Sequence, residues 1–165
     1  MEKPVLGHFA VFRFSEAFWS LPPAQRRAQA AAWWEGFRGI AAAVHLYQVF
    51  PTRTEADLLI WSAEPVEDPE APARFFARFA RAANACRARI QPVQTLWGLT
   101  RPSPYAAGRS PQEIDPFAPE RDLYLIVYPF VKTTDWYLLS KDARQGMMNE
   151  HIRVGRQYPN CEIGR

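Results

Sequence analysis

The side chains best suited to chemistry lie in one stretch, residues 128–158, with the sequence YPFVKTTDWYLLSKDARQGMMNEHIRVGRQY. Within it, Met147 and Met148 precede His151 by four and three residues, and Val154 follows it by three. This spacing places all four side chains on one face of a helix. An imidazole among thioethers and aliphatic groups is either a core histidine or a metal ligand. The residue types alone leave both interpretations open.

Further polar and aromatic groups precede this histidine. Tyr128 and Lys132 lie at the end of a predicted strand, Trp136 follows a turn, and Arg144 comes two turns before the histidine. Each has an ordinary structural alternative: a strand-end aromatic, a solvated lysine, a core tryptophan, and an arginine paired with Glu150 or another surface carboxylate. Taken together, the group suits a flat, anionic, metal-bearing ligand. The imidazole would bind the metal, the methionines would pack against a macrocycle, and the cations would meet carboxylates.

Two elements must position these side chains. The run Asp122–Phe130, DLYLIVYPF, predicts a strand. A helix is predicted from Ser140 to Tyr158, because a serine hydroxyl can accept from the first free backbone N–H groups and Pro159 restricts the residue before it. The imidazole would then lie near the end of the helix that follows this strand.

In these residues the sequence resembles the chlorite dismutase-like haem proteins, especially the coproheme decarboxylases. Those enzymes carry a Tyr-Pro-x-x-Lys strand end, a Trp-Tyr-x-Leu turn, and a helix reading Arg-x-x-Met-x-x-His-x-x-x-Gly-x-x-Tyr. The corresponding residues here are Tyr128, Pro129, Lys132, Trp136, Tyr137, Leu139, Arg144, Met147, Met148, His151, Gly155 and Tyr158. Met147 has the pattern's spacing from Arg144 and Met148 its spacing to His151, so this chain has one residue more between Arg144 and His151. The N-terminal half fits the family in outline.

The resemblance implies a role for each site residue. His151 would be the axial ligand to the iron of haem or iron coproporphyrin III, with Arg144, Met147 and Met148 also contacting the cofactor. The catalytic pair would be Tyr128, which becomes a radical after peroxide oxidises the iron, and Lys132, which binds propionate and assists proton movement. Trp136 would help to hold a propionate.

Three functions follow as hypotheses. The first is a coproheme decarboxylase, which makes haem b from iron coproporphyrin III with hydrogen peroxide, and the pair Tyr128 and Lys132 favours it. The second is a chlorite dismutase or peroxidase-like haem enzyme, whose distal arginine would fall near Gly164 or Arg165. The third is a non-catalytic haem-binding protein. Family members form dimers or pentamers, so the resemblance also implies a homo-oligomer.

Composition sets broader limits. The 165 residues are 48% hydrophobic and 14% aromatic, which predicts a folded protein. A net charge of +3 without a dense basic run argues against nucleic-acid binding. No apolar run reaches about 18 residues, so no membrane span is predicted. Two distant cysteines, Cys86 and Cys161, and no apparent signal peptide favour the cytoplasm.

The order of predicted elements in the first hundred residues is β-α-β-β-α-β, a ferredoxin-like unit in the α+β class. Histidines at 8 and 45 lie in strands without nearby ligand residues, and we expect both to be structural. The predicted strands are His8–Phe14, Val44–Phe50, Ala56–Ala63 and Ile90–Leu99, the helices are Ala24–Ala43 and Pro72–Cys86, and the turns are Trp19–Pro23 and Pro51–Thr54.

A shift of 117 positions sets Trp19 on Trp136, Arg27 on Arg144, and Trp34 on His151. This predicts two ferredoxin-like repeats, at 1–100 without ligand and from 122 with ligand. The proline-rich segment 101–121 between them is interpreted as an ordered connector, with a disordered linker as the alternative. The resemblance implies that the repeats form a dimeric α+β barrel. By repeat logic the second copy is incomplete, with roughly 50 residues missing, so we expect a truncated second repeat at 122–165.

Overall fold

Four strands and three helices make up the first of two units in the computed structural model, which describes residues 3–100 and 113–158. The units are Met1–Thr100 and Arg101–Arg165. Residues 101–112 of the predicted connector, and Pro159 with all that follows, lie outside the described residues. The helix predicted to reach Tyr158 ends at Gly155, and residues 156–157 form a turn. The elements are β1 (Val5–Phe14), α1 (Glu16–Trp19), α2 (Pro23–Phe37), β2 (Ala43–Gln48), β3 (Leu58–Pro65), α3 (Ala71–Ala85) and β4 (Ile90–Leu99) in the first unit, and α4 (Thr134–Leu138) and α5 (Lys141–Gly155) in the second.

The strands of the first unit form one antiparallel sheet in the order β2-β3-β1-β4. This order, with helices connecting β1 to β2 and β3 to β4, is that of a ferredoxin-like unit. The mixed α+β class and the β-α-β-β-α-β order predicted from the sequence are therefore confirmed, with the short helix α1 added.

β1 is a central strand of the sheet, and its side chains alternate between a buried face and a half-buried face. Leu6, His8, Ala10 and Phe12 are buried on one face, and the residues between them are half-buried. Successive residues of a strand point to opposite faces, so this pattern directs one face of β1 into the core. Hydrogen bonding to β3 on one side and β4 on the other fixes its register.

Aromatic rings from the helices complete this core. The ring centroid of Phe12 lies 4.9 Å from that of Trp33 and 5.7 Å from that of Phe37, both on α2. Phe79 of α3 lies 5.2 Å from Phe37. Edge-to-face rings at such distances contribute beyond their buried area. The core therefore joins the sheet to α2 and α3.

The predicted helix from Ala24 to Ala43 is too long at its C-terminal end. α2 ends at Phe37, Arg38 is extended, and Gly39 adopts φ +82°, a left-handed conformation that glycine takes without steric cost. The alanines at 41–43 favour a helix by composition, but β2 already begins at Ala43 and pairs with β3. Tertiary pairing overrides local propensity here.

One carboxylate ties the chain after α2 to β3 and α3. The Nη2 of Arg78 donates to Glu64 Oε1 at 2.7 Å, and its Nε donates to the Ile40 carbonyl at 2.8 Å. The second oxygen, Glu64 Oε2, accepts from the backbone N–H of Ala42 at 2.8 Å. The loop at 38–42 is therefore held by polar bonds at two points.

Smaller differences concern the ends of elements. The predicted turn at Trp19–Pro23 is preceded by the helix α1, whose last residue is Trp19. β2 ends two residues before the predicted Phe50, and β3 begins two residues after the predicted Ala56. β4 spans Ile90–Leu99 as predicted.

The predicted strand Asp122–Phe130 is wrong for the described structure. These residues join no sheet, and the side chains of Leu123, Tyr124, Ile126 and Phe130 are exposed. A strand exists through hydrogen bonds to a neighbour, and no described strand pairs with this run. An apolar run of this kind forms a strand only when another strand pairs with it.

Within the described ranges 3–100 and 113–158, no helix is both long and apolar enough to cross a membrane.

Candidate functional site

Helix α5 begins where the sequence predicts. The backbone N–H of Ala143 donates to the Ser140 hydroxyl at 3.1 Å, so the predicted N-cap is confirmed. Asp142 lies in the first turn and Arg153 in the last, which suits the positive and negative ends of the helix dipole. The 15-residue helix is therefore stabilised at both ends, although none of its residues is buried.

The histidine lies on an open face of this helix. His151 and Val154 are exposed, and so is Met147, with 54% of its surface accessible. Met148 is half-buried. The interpretation of His151 as a buried core histidine therefore does not hold for the structure described. An accessible imidazole with apolar neighbours one turn away on either side could bind a metal held in a flat apolar ligand.

Lys132 and Trp136 are in contact. The ammonium nitrogen Nζ of Lys132 lies over the indole, 4.7 Å from the ring centroid. This is a cation–π distance. The two residues flank the start of α4, whose N-cap is Thr133, and the indole is half-buried. The turn predicted between strand and helix therefore brings these two site residues together.

Tyr128 is 68% exposed, and its ring stacks on Phe130 with a centroid distance of 6.1 Å. Phe130 was not singled out by the sequence reasoning. Residues two apart in an extended chain point to the same side, so the two-residue spacing could have indicated Phe130 as the neighbour of Tyr128. The phenol is accessible, as a residue that reacts with a bound substrate must be.

Arg144 is half-buried, and its Nε has no hydrogen-bond partner within the described structure. The alternative pairing with Glu150 is not formed. Instead both oxygens of Glu150 accept from Arg153, at 2.6 and 2.8 Å, and these hydrogen bonds lower the pKa of Glu150. The guanidinium of Arg144 is therefore not committed to the carboxylate that the sequence offered as its structural partner.

The histidines of the first unit have a different environment. His8 is 2% exposed and packs against the rings of Phe75, Phe76 and Phe79 at 4.4–5.7 Å. Burial lowers its pKa from 6.5 to about 4. His45 lies beside Trp61, with ring centroids 5.1 Å apart. These are packed rings of the sheet, in line with the structural role expected for both.

Comparison with known proteins identifies the family. The family model described as chlorite dismutase matches residues 15–163, and the chain belongs to this family. A coproheme decarboxylase of Mycolicibacterium smegmatis is 32% identical over 113 residues, covering 68% of this chain and 47% of that protein. A second, from Staphylococcus carnosus, is 28% identical over 127 residues, covering 68% and 48%.

Solved structures agree on the fold. A mutant chlorite dismutase from Candidatus Nitrospira defluvii matches with a TM-score of 0.64 at 18% identity, covering 96% of this chain and 68% of its own. A chlorite dismutase from the same organism in complex with imidazole matches with a TM-score of 0.63 at 17% identity, covering 93% and 66%. At such identities the likeness shows the fold alone. The chain spans about half the length of the curated relatives it matches.

Proposed function

We propose that the protein is a coproheme decarboxylase, which removes carbon dioxide from two propionates of iron coproporphyrin III to give haem b, with hydrogen peroxide as oxidant. The observation that carries the proposal is the open face of α5, where an exposed imidazole lies between apolar side chains in a helix that matches the family pattern. Two similar proteins are described as coproheme decarboxylases, which supports this activity over others in the family.

The described residues fit an iron porphyrin. His151 is accessible to bind the iron, and the exposed thioether of Met147 and the aliphatic Val154 offer apolar surface to a macrocycle. Lys132 and Arg144 supply positive charge for propionates, and both are long enough to reach a carboxylate at the edge of a macrocycle. When bound, the iron porphyrin supplies the oxidising equivalents that the reaction takes from peroxide.

The balance of the reaction defines what the side chains must do. Each propionate takes up one hydrogen peroxide and one proton and gives a vinyl group, one carbon dioxide and two waters, so a hydrogen must leave the propionate chain as well as the carboxylate. A phenol can lose an electron and a proton together and can then take a hydrogen from carbon. We assign this step to Tyr128, whose ring is accessible.

Lys132 has the complementary task. Its ammonium group can bind the propionate carboxylate through charge-assisted hydrogen bonds and so hold the carbon chain near the phenol. The same group can also give the proton that each decarboxylation consumes and then be reprotonated by solvent. Orientation of this kind accounts for much of the rate in reactions between bound groups.

The test is a titration of the chain with iron coproporphyrin III, followed by peroxide and mass analysis of the porphyrin. We expect two successive losses of carbon dioxide in the wild type. Tyr128→Phe should bind the porphyrin normally and leave its mass unchanged. His151→Ala should lose binding, whereas Trp34→Phe, at the position that the repeat sets on His151, should bind and react as the wild type does.

Other results would assign a different function. Binding with a histidine-ligated spectrum but no change of porphyrin mass would contradict the decarboxylase proposal. Turnover of chlorite would then indicate a chlorite dismutase, and binding without turnover a haem-binding protein. Equal porphyrin binding by the wild type and by His151→Ala would remove the histidine from the site.

A further inference from the structure

The contact between Lys132 and Trp136 is made within a short local segment. The residues are four apart, and the backbone N–H of Trp136 donates to the Thr133 carbonyl at 3.1 Å. That bond closes the first turn of α4 and sets the indole beneath the lysine chain, with Nζ 4.7 Å from the ring centroid. The contact thus joins neighbouring residues of one segment.

The indole is a moderate partner for an ammonium group. Tryptophan has the most favourable ring face for a cation, but at a partly solvated site the attraction is weaker than a charge-assisted hydrogen bond to a carboxylate. A lysine on this ring is therefore restricted in its rotamers and can still move to a carboxylate nearby. A ring that holds the cation weakly prepares it for a stronger partner.

We propose that Trp136 is the positioning residue for Lys132: its ring holds the ammonium group in the absence of substrate and releases it to a carboxylate of the bound porphyrin. The identity of that carboxylate rests on the proposed function, whereas the resting contact rests on the structure. Trp136 acts on the reaction through the lysine, in addition to any contact of its own with a propionate.

The first unit provides a matched comparison. Trp19, which the repeat sets on Trp136, also has a cation over its ring, the guanidinium of Arg26 at 5.4 Å. Arg26 belongs to α2, and its backbone N–H donates to the Pro22 carbonyl within the helix. The cation in the first unit comes from the following helix, and the cation in the second comes from the preceding segment, which also carries Tyr128. Trp19 is therefore a suitable control position.

The resting contact can be tested by NMR without any porphyrin. The chain has only three lysines, Lys3, Lys132 and Lys141. With ¹³C-labelled lysine, the ε-methylene signal of Lys132 is assigned by its absence in Lys132→Arg. We expect it to be shifted upfield by the indole ring current. The shift should vanish in Trp136→Leu, remain in part in Trp136→Phe, and be unaffected by Trp19→Leu.

Release is tested with gallium coproporphyrin III, a diamagnetic analogue, and with its tetramethyl ester, which has no free carboxylate. Because the bound macrocycle adds a ring current of its own, release is measured as the difference in the Lys132 shift between the wild type and Trp136→Leu. The free acid should abolish this difference, and the ester should leave it in place. A Lys132 signal that does not depend on Trp136 in the ligand-free chain overturns the positioning role. A difference that persists in full in the complex with the free acid overturns the release.

Failure of the proposed function has a separate signature. Porphyrin absorption would then show no binding in any variant, while the ligand-free spectra still showed the Trp136-dependent shift. That result would overturn release to a porphyrin carboxylate together with the function. Conversely, decarboxylation with a Lys132 signal indifferent to Trp136 would support the function and overturn the inference.

Discussion

The two units contain the same pair of helices in different surroundings. α2 and α5 are both 15 residues long, and each follows a shorter helix, α1 or α4. α2 begins at Pro23 and α5 begins at Lys141, 118 positions later. This spacing differs by one residue from the shift of 117 positions that aligns the two parts of the sequence. The repeat predicted from sparse identities is thus visible in the helices of the described structure.

What precedes and surrounds the helices differs. In the first unit β1 is paired on both sides, and Trp34 of α2 packs against the core. In the second unit the run 122–130 is unpaired, and His151, at the position of Trp34, is exposed. One copy therefore uses this helix face to close a core, and the other leaves it accessible, as ligand binding requires.

The largest expected difference in the free energy of unfolding is between two phenylalanine-to-alanine substitutions, one in each unit. Phe75→Ala removes a ring that is 0% exposed and should lower the free energy of unfolding by about 4 kcal/mol. Phe130→Ala removes one that is 73% exposed and should change it by less than about 0.5 kcal/mol. Urea unfolding followed by circular dichroism measures both. Similar losses in the two variants would break the contrast between a packed and an open unit.

An effect of intermediate size is expected in the pH dependence of stability, to which His8 should contribute and His151 should not. Burial lowers the pKa of His8 to about 4, so between pH 6.5 and 4 the unfolded chain binds a proton that the folded chain does not. Stability should therefore be complete above pH 6.5 and fall as the pH drops, by about 3 kcal/mol at pH 4. Urea unfolding of wild type and His8→Leu across this range measures the difference.

In His8→Leu this part of the acid sensitivity should be absent, and His151→Leu, which replaces an exposed imidazole, should retain it. An unchanged pH profile in His8→Leu would show that other groups cause the loss of stability in acid.

The smallest effect concerns the start of α5. Ser140→Ala removes the acceptor for the Ala143 N–H and should weaken the helix by about 1 kcal/mol, whereas Ser140→Asp, which keeps an acceptor, should not. The N-cap residue of α2 is Pro22, which makes no side-chain cap, so α2 offers no equivalent bond. Hydrogen exchange of α5 amides measures the change. Unchanged protection in Ser140→Ala would mean that the cap does not limit helix opening.

The sequence predicted the elements that depend on local pattern. β4 and the start of α5 follow from residue periodicity and a capping serine, which act over a few residues. The end of α2 and the run Asp122–Phe130 were wrong, because each depends on whether a distant strand is paired. The spacing of Lys132 and Trp136 was visible in the sequence, but their contact required the turn geometry. The catalytic and binding roles remain predictions.

The carboxylate of Glu64 limits which substitutions the first unit can accept. Its two oxygens serve Arg78 and the Ala42 N–H, while the same guanidinium also serves the Ile40 carbonyl. An aspartate would be one methylene too short to reach both donors, and a lysine at 78 lacks the planar fork that directs separate N–H groups at two acceptors. A substitution at either position is therefore constrained by the residue at the other. Variants that tolerate change here should carry a compensating change in the loop at 38–42.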